Sequence, residues 1–96
     1  MIERTFTITG RLGLHARAAA KLVRVTSEFQ SEVSLRRSDA SLTADAKSIL
    51  SVLMLAASRG TELEACVEGA DEELAMNAIA ELFADGFGEF EAEPSL

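Results

Sequence analysis

The chain has 96 residues, enough for one compact domain, and its longest uninterrupted apolar stretch, Val52 to Ala57, is far too short to cross a bilayer. A formal charge of −7 argues against a general nucleic-acid binder, and one histidine with one cysteine, Cys66, excludes an intramolecular disulfide and falls short of a zinc ligand set. The charge is lopsided: residues 1–59 hold all nine Lys and Arg with five acids, a net +4, whereas residues 60–96 hold eleven acids and no base, a net −11.

Residues 2–9 alternate, with Ile2, Phe6 and Ile8 on one side and Thr5, Thr7 and Thr9 on the other, the period of a half-buried strand that Arg4 interrupts. Gly10 and Gly13 mark a loop. From Ala16 the period turns helical, with Ala19, Leu22, Val23, Thr26 and Phe29 as the apolar stripe. Arg17, Lys21, Arg24 and Glu28 follow the opposite side, so three successive members of that outer stripe are basic.

Val33 and Leu35 alternate inward in a second strand over residues 32–36. Residues 36–41 are polar and turn-like, and Leu42 with Ala44 predicts a short, weak returning strand. Ser48 stands in the N-cap position of a very apolar nine-residue helix, 49–57, that Gly60 ends. A fourth strand, 62–68, puts Leu63, Ala65 and Val67 on the core side and Cys66 on the other. Gly69 opens the last turn, and Asp71, Glu72 and Glu73 favour a helix N-terminus. Ala75, Ala78, Ile79 and Leu82 form the stripe of that helix, and Gly86 stops it.

The order β-α-β-β-α-β-α predicts an α+β fold. It is an open-faced two-layer sandwich, a four-stranded antiparallel sheet with three helices on one face and the other face wet. Residues 1–87 form the domain, and 88–96 read as a loosely ordered acidic tail. The charge asymmetry turns an acidic partner toward the basic part, although the C-terminal acids alone fit a solvated helix and tail equally well. The N-terminus lacks a basic segment followed by an apolar one and a small-residue cleavage site, and the single cysteine fits a reducing cytoplasm; a monomer is expected.

The stretch GLHARAAAKLV, residues 13–23, sets the only histidine, His15, where the loop becomes a helix. Neutral imidazole is a good nucleophile toward phosphorus. A helix N-terminus offers N–H groups, here those of Ala16 and Arg17, to phosphate oxygens. Its positive end also opposes ring protonation. Arg17 adds a charge-assisted bond worth about 1.5–3 kcal/mol when well aligned. From the residues alone this is an anion or phosphoryl site, and the plainer reading is a histidine that caps a helix.

This stretch resembles the active-site segment of the HPr family, the histidine-containing phosphocarriers of the bacterial phosphoenolpyruvate-dependent phosphotransferase system. The family pattern reads Gly-Leu-His-Ala-Arg-Pro-Ala; Gly13, Leu14, His15, Ala16, Arg17 and Ala19 match, and Ala18 replaces the proline. Since proline in a first helical turn mainly fixes φ, the change alters local rigidity rather than chemistry. Lys47 to Leu50, KSIL, resembles the family's regulatory-serine region with Ser48 in the serine position. The resemblance spans residues 1–86 and departs most between Arg37 and Ala46, a segment about two residues longer than usual, by the same comparison of patterns.

The resemblance implies that His15 takes a phosphoryl group on Nδ1 from phosphorylated enzyme I and passes it to IIA domains, so the protein is a carrier and no free-standing catalyst. It further implies that HPr kinase is a candidate to modify Ser48. Ile49, Leu50 and Leu53 would dock enzyme I and IIA, with Arg17, Lys21 and Arg24 as a basic rim. No cofactor, metal, nucleic acid or membrane insertion is expected. Within the family, a nitrogen-type or incomplete phosphotransferase system without sugar transport remains an alternative, and outside it a small ligand-sensing β-α-β-β-α-β module.

Overall fold

The two segments with the cleanest apolar alternation meet at the centre of the sheet. The computed structural model describes residues 1–39 and 41–88. Its elements are β1 (Ile2–Thr7), α1 (Ala16–Thr26), β2 (Glu32–Arg37), β3 (Thr43–Asp45), α2 (Ile49–Leu53), β4 (Glu62–Glu68) and α3 (Glu72–Ala84). A 3₁₀ turn over Gly86–Gly88 follows α3. The sheet is antiparallel in the order β1-β4-β2-β3, so β4 lies between strands that precede it in the chain.

The registers put the predicted core residues side by side. Val33 pairs with Val67, Leu35 with both Ala65 and Ala44, and Phe6 with Leu63. One face of the sheet therefore becomes largely apolar, with Arg4 and Arg37 at its margins, and is covered by Ala18, Ala19 and Leu22 of α1, Val52 of α2, and Ala75, Met76, Ile79 and Phe83 of α3. The opposite face carries Thr5, Glu62, Glu64, Cys66, Glu68, Ser34 and Arg36, with an Arg36–Glu64 ion pair across β2 and β4. Burial, then Glu3 and Glu68, push the Cys66 thiol up on this wet face. The predicted order and open-faced architecture are those of the structure.

Several boundaries differ from the sequence reading. β1 ends at Thr7, although Ile8 is buried and continues the pairing through Ile8 N–H to Thr61 O at 2.9 Å. β2 extends to Arg37, and β3 excludes Leu42, which is exposed, so Ala44 alone of that pair faces the core. α2 has five residues rather than nine. After Met54 the N–H groups of Leu55 and Ala56 bond back three residues, and Ala56 turns to φ +50°. Gly60 does not stop this helix; it lies in the next turn, its N–H on Ile8 O at 2.8 Å.

The buried face of α3 is Ala75, Met76, Ile79 and Phe83, with Ala78 and Leu82 only half-buried. The stripe is rotated because Phe83 stacks on Phe6, centroids 4.6 Å apart, and meets Phe87 edge-on at 4.9 Å. Asp71 stands at the N-cap of α3 without capping it. Its carboxylate instead accepts from Gln30 N–H, Ser31 N–H and Ser31 Oγ, tying the α1–β2 connection to α3. Those bonds, the Ser31 hydroxyl first, lower its pKa. Gly88 closes the 3₁₀ turn on Asp85 O, and the remainder of the predicted tail, 89–96, lies outside the described residues.

Candidate functional site

Gly13 is required where the loop approaches the turn after α2. Its φ is +70°, and a Cβ there would lie 2.6 Å from Ala57 O and 2.9 Å from the Cα of Ser58. The next N–H, that of Leu14, donates to Ala57 O at 2.8 Å, and the Leu14 side chain is buried. Two contacts thus fix the chain just before the histidine.

His15 is the N-cap of α1, extended at φ −83° and ψ −175°. Its carbonyl accepts from Ala19 N–H at 2.8 Å, starting the helical ladder. Its Nδ1 accepts from Arg17 N–H at 3.2 Å, which assigns the ring proton to Nε2. The Nδ1 lone pair therefore sits at the positive end of an 11-residue helix, among N–H groups that a phosphate oxygen could use. The ring is half-buried, while Ala16 and Arg17 are exposed beside it and Ala18 is buried in the first turn.

The basic stripe is not uniform. Arg24 is exposed like Arg17, but Lys21 is half-buried and its Nζ donates to Phe87 O at 2.7 Å, so it also anchors the turn after α3. Ser48 caps α2, its Oγ accepting from Ser51 N–H at 3.3 Å and its carbonyl from Val52 N–H at 3.0 Å. Beside it Ile49 is 42% and Leu50 74% exposed, whereas Leu53 is half-buried against the core.

Met54, 78% exposed, extends the apolar surface of Ile49 and Leu50; the signal for it was its place four residues after Leu50. Leu12, in the loop before His15, is 72% exposed and was also missed. The helices α1 and α2 pack against each other, which brings His15 and Ser48, each heading one of them, into one helical layer. Among the described residues no group of three or more His, Cys, Asp and Glu could hold a metal ion, and no helix is long and apolar enough to cross a membrane.

Residues 2–85 match the family model described as the PTS HPr component phosphorylation site. The chain is 48% identical over 89 residues to a phosphocarrier protein HPr of Xylella fastidiosa, covering 93% of this chain and 98% of that protein. It is 45% identical over 91 residues to the phosphocarrier protein HPr of Cupriavidus necator, covering 95% and 100% respectively. A crystal structure of HPr from Thermoanaerobacter tengcongensis superposes with TM-score 0.85 at 36% identity, over 92% of this chain and 97% of the other. A histidine-containing phosphocarrier protein of Mycoplasma gives TM-score 0.80 at 29% identity, over 88% and 96%.

Proposed function

This chain belongs to the HPr family of phosphocarriers of the phosphotransferase system, and we propose that it carries its phosphoryl group on Nδ1 of His15. The observation behind this reading is the Nδ1 lone pair held 3.2 Å from Arg17 N–H at the start of α1. The lone pair attacks phosphorus, the donor's bond to that phosphorus breaks, and the proton stays on Nε2. The phosphoryl oxygens then take over the N–H groups of Ala16 and Arg17, and the Arg17 guanidinium adds charge. The reverse exchange hands the group on, so the protein is a carrier rather than a catalyst.

The donor in this reading is phosphorylated enzyme I and the acceptors are IIA domains, which dock on Ile49, Leu50 and Leu53 together with Met54. Arg17 and Arg24 form the charged rim, with Lys21 contributing its charge while anchored at Phe87. Exposed apolar anchors on a helix packed against the one that His15 heads fit a surface shared by successive partners. Ser48 is the regulatory site, phosphorylated by an HPr kinase.

Incubation with phosphoenolpyruvate and enzyme I should add one acid-labile, alkali-stable phosphoryl group, read as a mass shift. His15→Ala should abolish it, and undiminished labelling of that variant overturns the assignment. Arg17→Ala should slow transfer while leaving the circular dichroism spectrum unchanged.

A further inference from the structure

We infer that Arg37 is a positioning residue for His15, because it holds the turn after α2 on which the histidine-bearing loop is seated; this rests on reading His15 as the phosphoryl acceptor. Arg37 closes β2, far from the site in sequence. Its Nε and Nη2 donate to the Asp39 carboxylate at 2.9 and 2.8 Å, a two-point fork that fixes the guanidinium plane. Nη1 is left pointing at the turn, where it donates to Leu55 O at 3.0 Å and Ala56 O at 3.5 Å. These carbonyls follow the last turn of α2, where a cation is favoured.

That turn needs a tether. Ala56 has φ +50°, a region an alanine occupies only under constraint. The next carbonyl, Ala57 O, receives Leu14 N–H at 2.8 Å and lies 2.6 Å from where a Cβ on Gly13 would sit. Leu14 leads directly into His15, whose Nδ1 meets Arg17 N–H. Arg37 thus opposes the relaxation of Ala56 that would carry Ala57 O away from Leu14. The ring's place at the helix N-terminus depends on that carbonyl. Arg37 acts through the turn, its donors going to Asp39, Leu55 and Ala56.

The test uses Arg37→Met, which keeps the apolar stem of the side chain and removes every donor. Leu14 amide hydrogen exchange and the His15 ring ¹⁵N shifts are measured with the rate of phosphoryl transfer from phosphorylated enzyme I. The Leu14 amide should exchange about tenfold faster, the His15 Nδ1 signal should move toward that of an unbonded ring, and transfer should fall about three- to tenfold. Adding Ala56→Gly, which makes the positive φ free of strain, should restore all three most of the way. Arg37→Lys, which keeps charge without the fork, should fall between.

Unchanged Leu14 exchange and His15 shifts in Arg37→Met overturn the inference, as does failure of Ala56→Gly to restore them. Should Arg37→Met not fold, Asp39→Ala removes the exposed half of the fork and must show the same changes at smaller size; their absence also overturns the inference. Wild-type protein that takes no phosphoryl group, while the Leu14 and His15 signals still shift in the variants, defeats the carrier site and upholds the positioning.

Discussion

Substitution of Ser48 separates the stability of α2 from the chemistry of its surface. Ser48→Ala leaves Ser51 N–H without its 3.3 Å acceptor. That bond is at the long end for its kind and caps a helix of only five residues, so its loss should cost about 0.5–1 kcal/mol, the lower part of the N-cap range. Ser48→Asp keeps an oxygen in the same place and adds negative charge at the helix N-terminus, which is favourable. The Asp45 carboxylate, bonded to Lys47 N–H close by, offsets part of that gain, so the aspartate variant should melt near wild type and above the alanine variant.

Transfer should rank differently. The alanine variant leaves Ile49, Leu50 and Met54 as they are and should accept phosphoryl groups from enzyme I at close to the wild-type rate. The aspartate variant puts a charge at the edge of an apolar surface that must be dehydrated on docking. A roughly tenfold slower transfer, about 1.4 kcal/mol, is expected. Thermal melts and single-turnover labelling of both variants make the assay. Equal loss of transfer in both would refute the reasoning, since the two variants share only the loss of the Ser48 hydroxyl.

Asp71→Asn should flatten the acid limb of the stability profile. The folded pKa of Asp71 is lowered, so its contribution is present above the unfolded carboxylate range and is lost as pH falls through the folded pKa; urea midpoints between pH 6 and pH 3 check this. Gly13→Ala should destabilise by about 1 kcal/mol or more, because of both φ +70° and the clash with Ala57 O, and should slow phosphoryl acceptance further than the lost stability explains. Arg24→Glu should weaken enzyme I association more at low salt than at high; Arg24 alone isolates charge, since altering Lys21 would also release Phe87 O.

What could be read from the chain without its fold was what is decided locally. The alternation of β4 is uninterrupted, and its predicted bounds, 62–68, are the observed ones. The start of α1 follows from a glycine-bearing loop and a change of period, and His15 and Arg17 meet because they are two residues apart. Ser48 likewise caps through a neighbour three residues on. The length of α2 was not legible, because a left-handed alanine, not a glycine or proline, ends it, among bonds from Arg37 and Leu14. The face of α3 was missed for a related reason. Leu82 and Phe83 are adjacent apolar residues, and the choice between them is made by Phe6 and Phe87. The second role of Lys21 depends on a carbonyl 66 residues away.

The strand order also governs how the molecule can be assembled as it is made. β4 is the last of the described strands, yet it supplies the pairing edge for both β1 and β2. A nascent chain that has not reached Glu62 can close only the β2–β3 hairpin, a three-residue ladder joining Ser34–Arg36 to Thr43–Asp45. β1 must wait without a strand partner while some fifty further residues emerge, about the loop length that makes such long-range pairing slow. Its apolar side chains Ile2 and Phe6 remain open to solvent or to other chains during that wait, so the ordering of the strands makes residues 2–8 the segment most in need of protection before synthesis is complete.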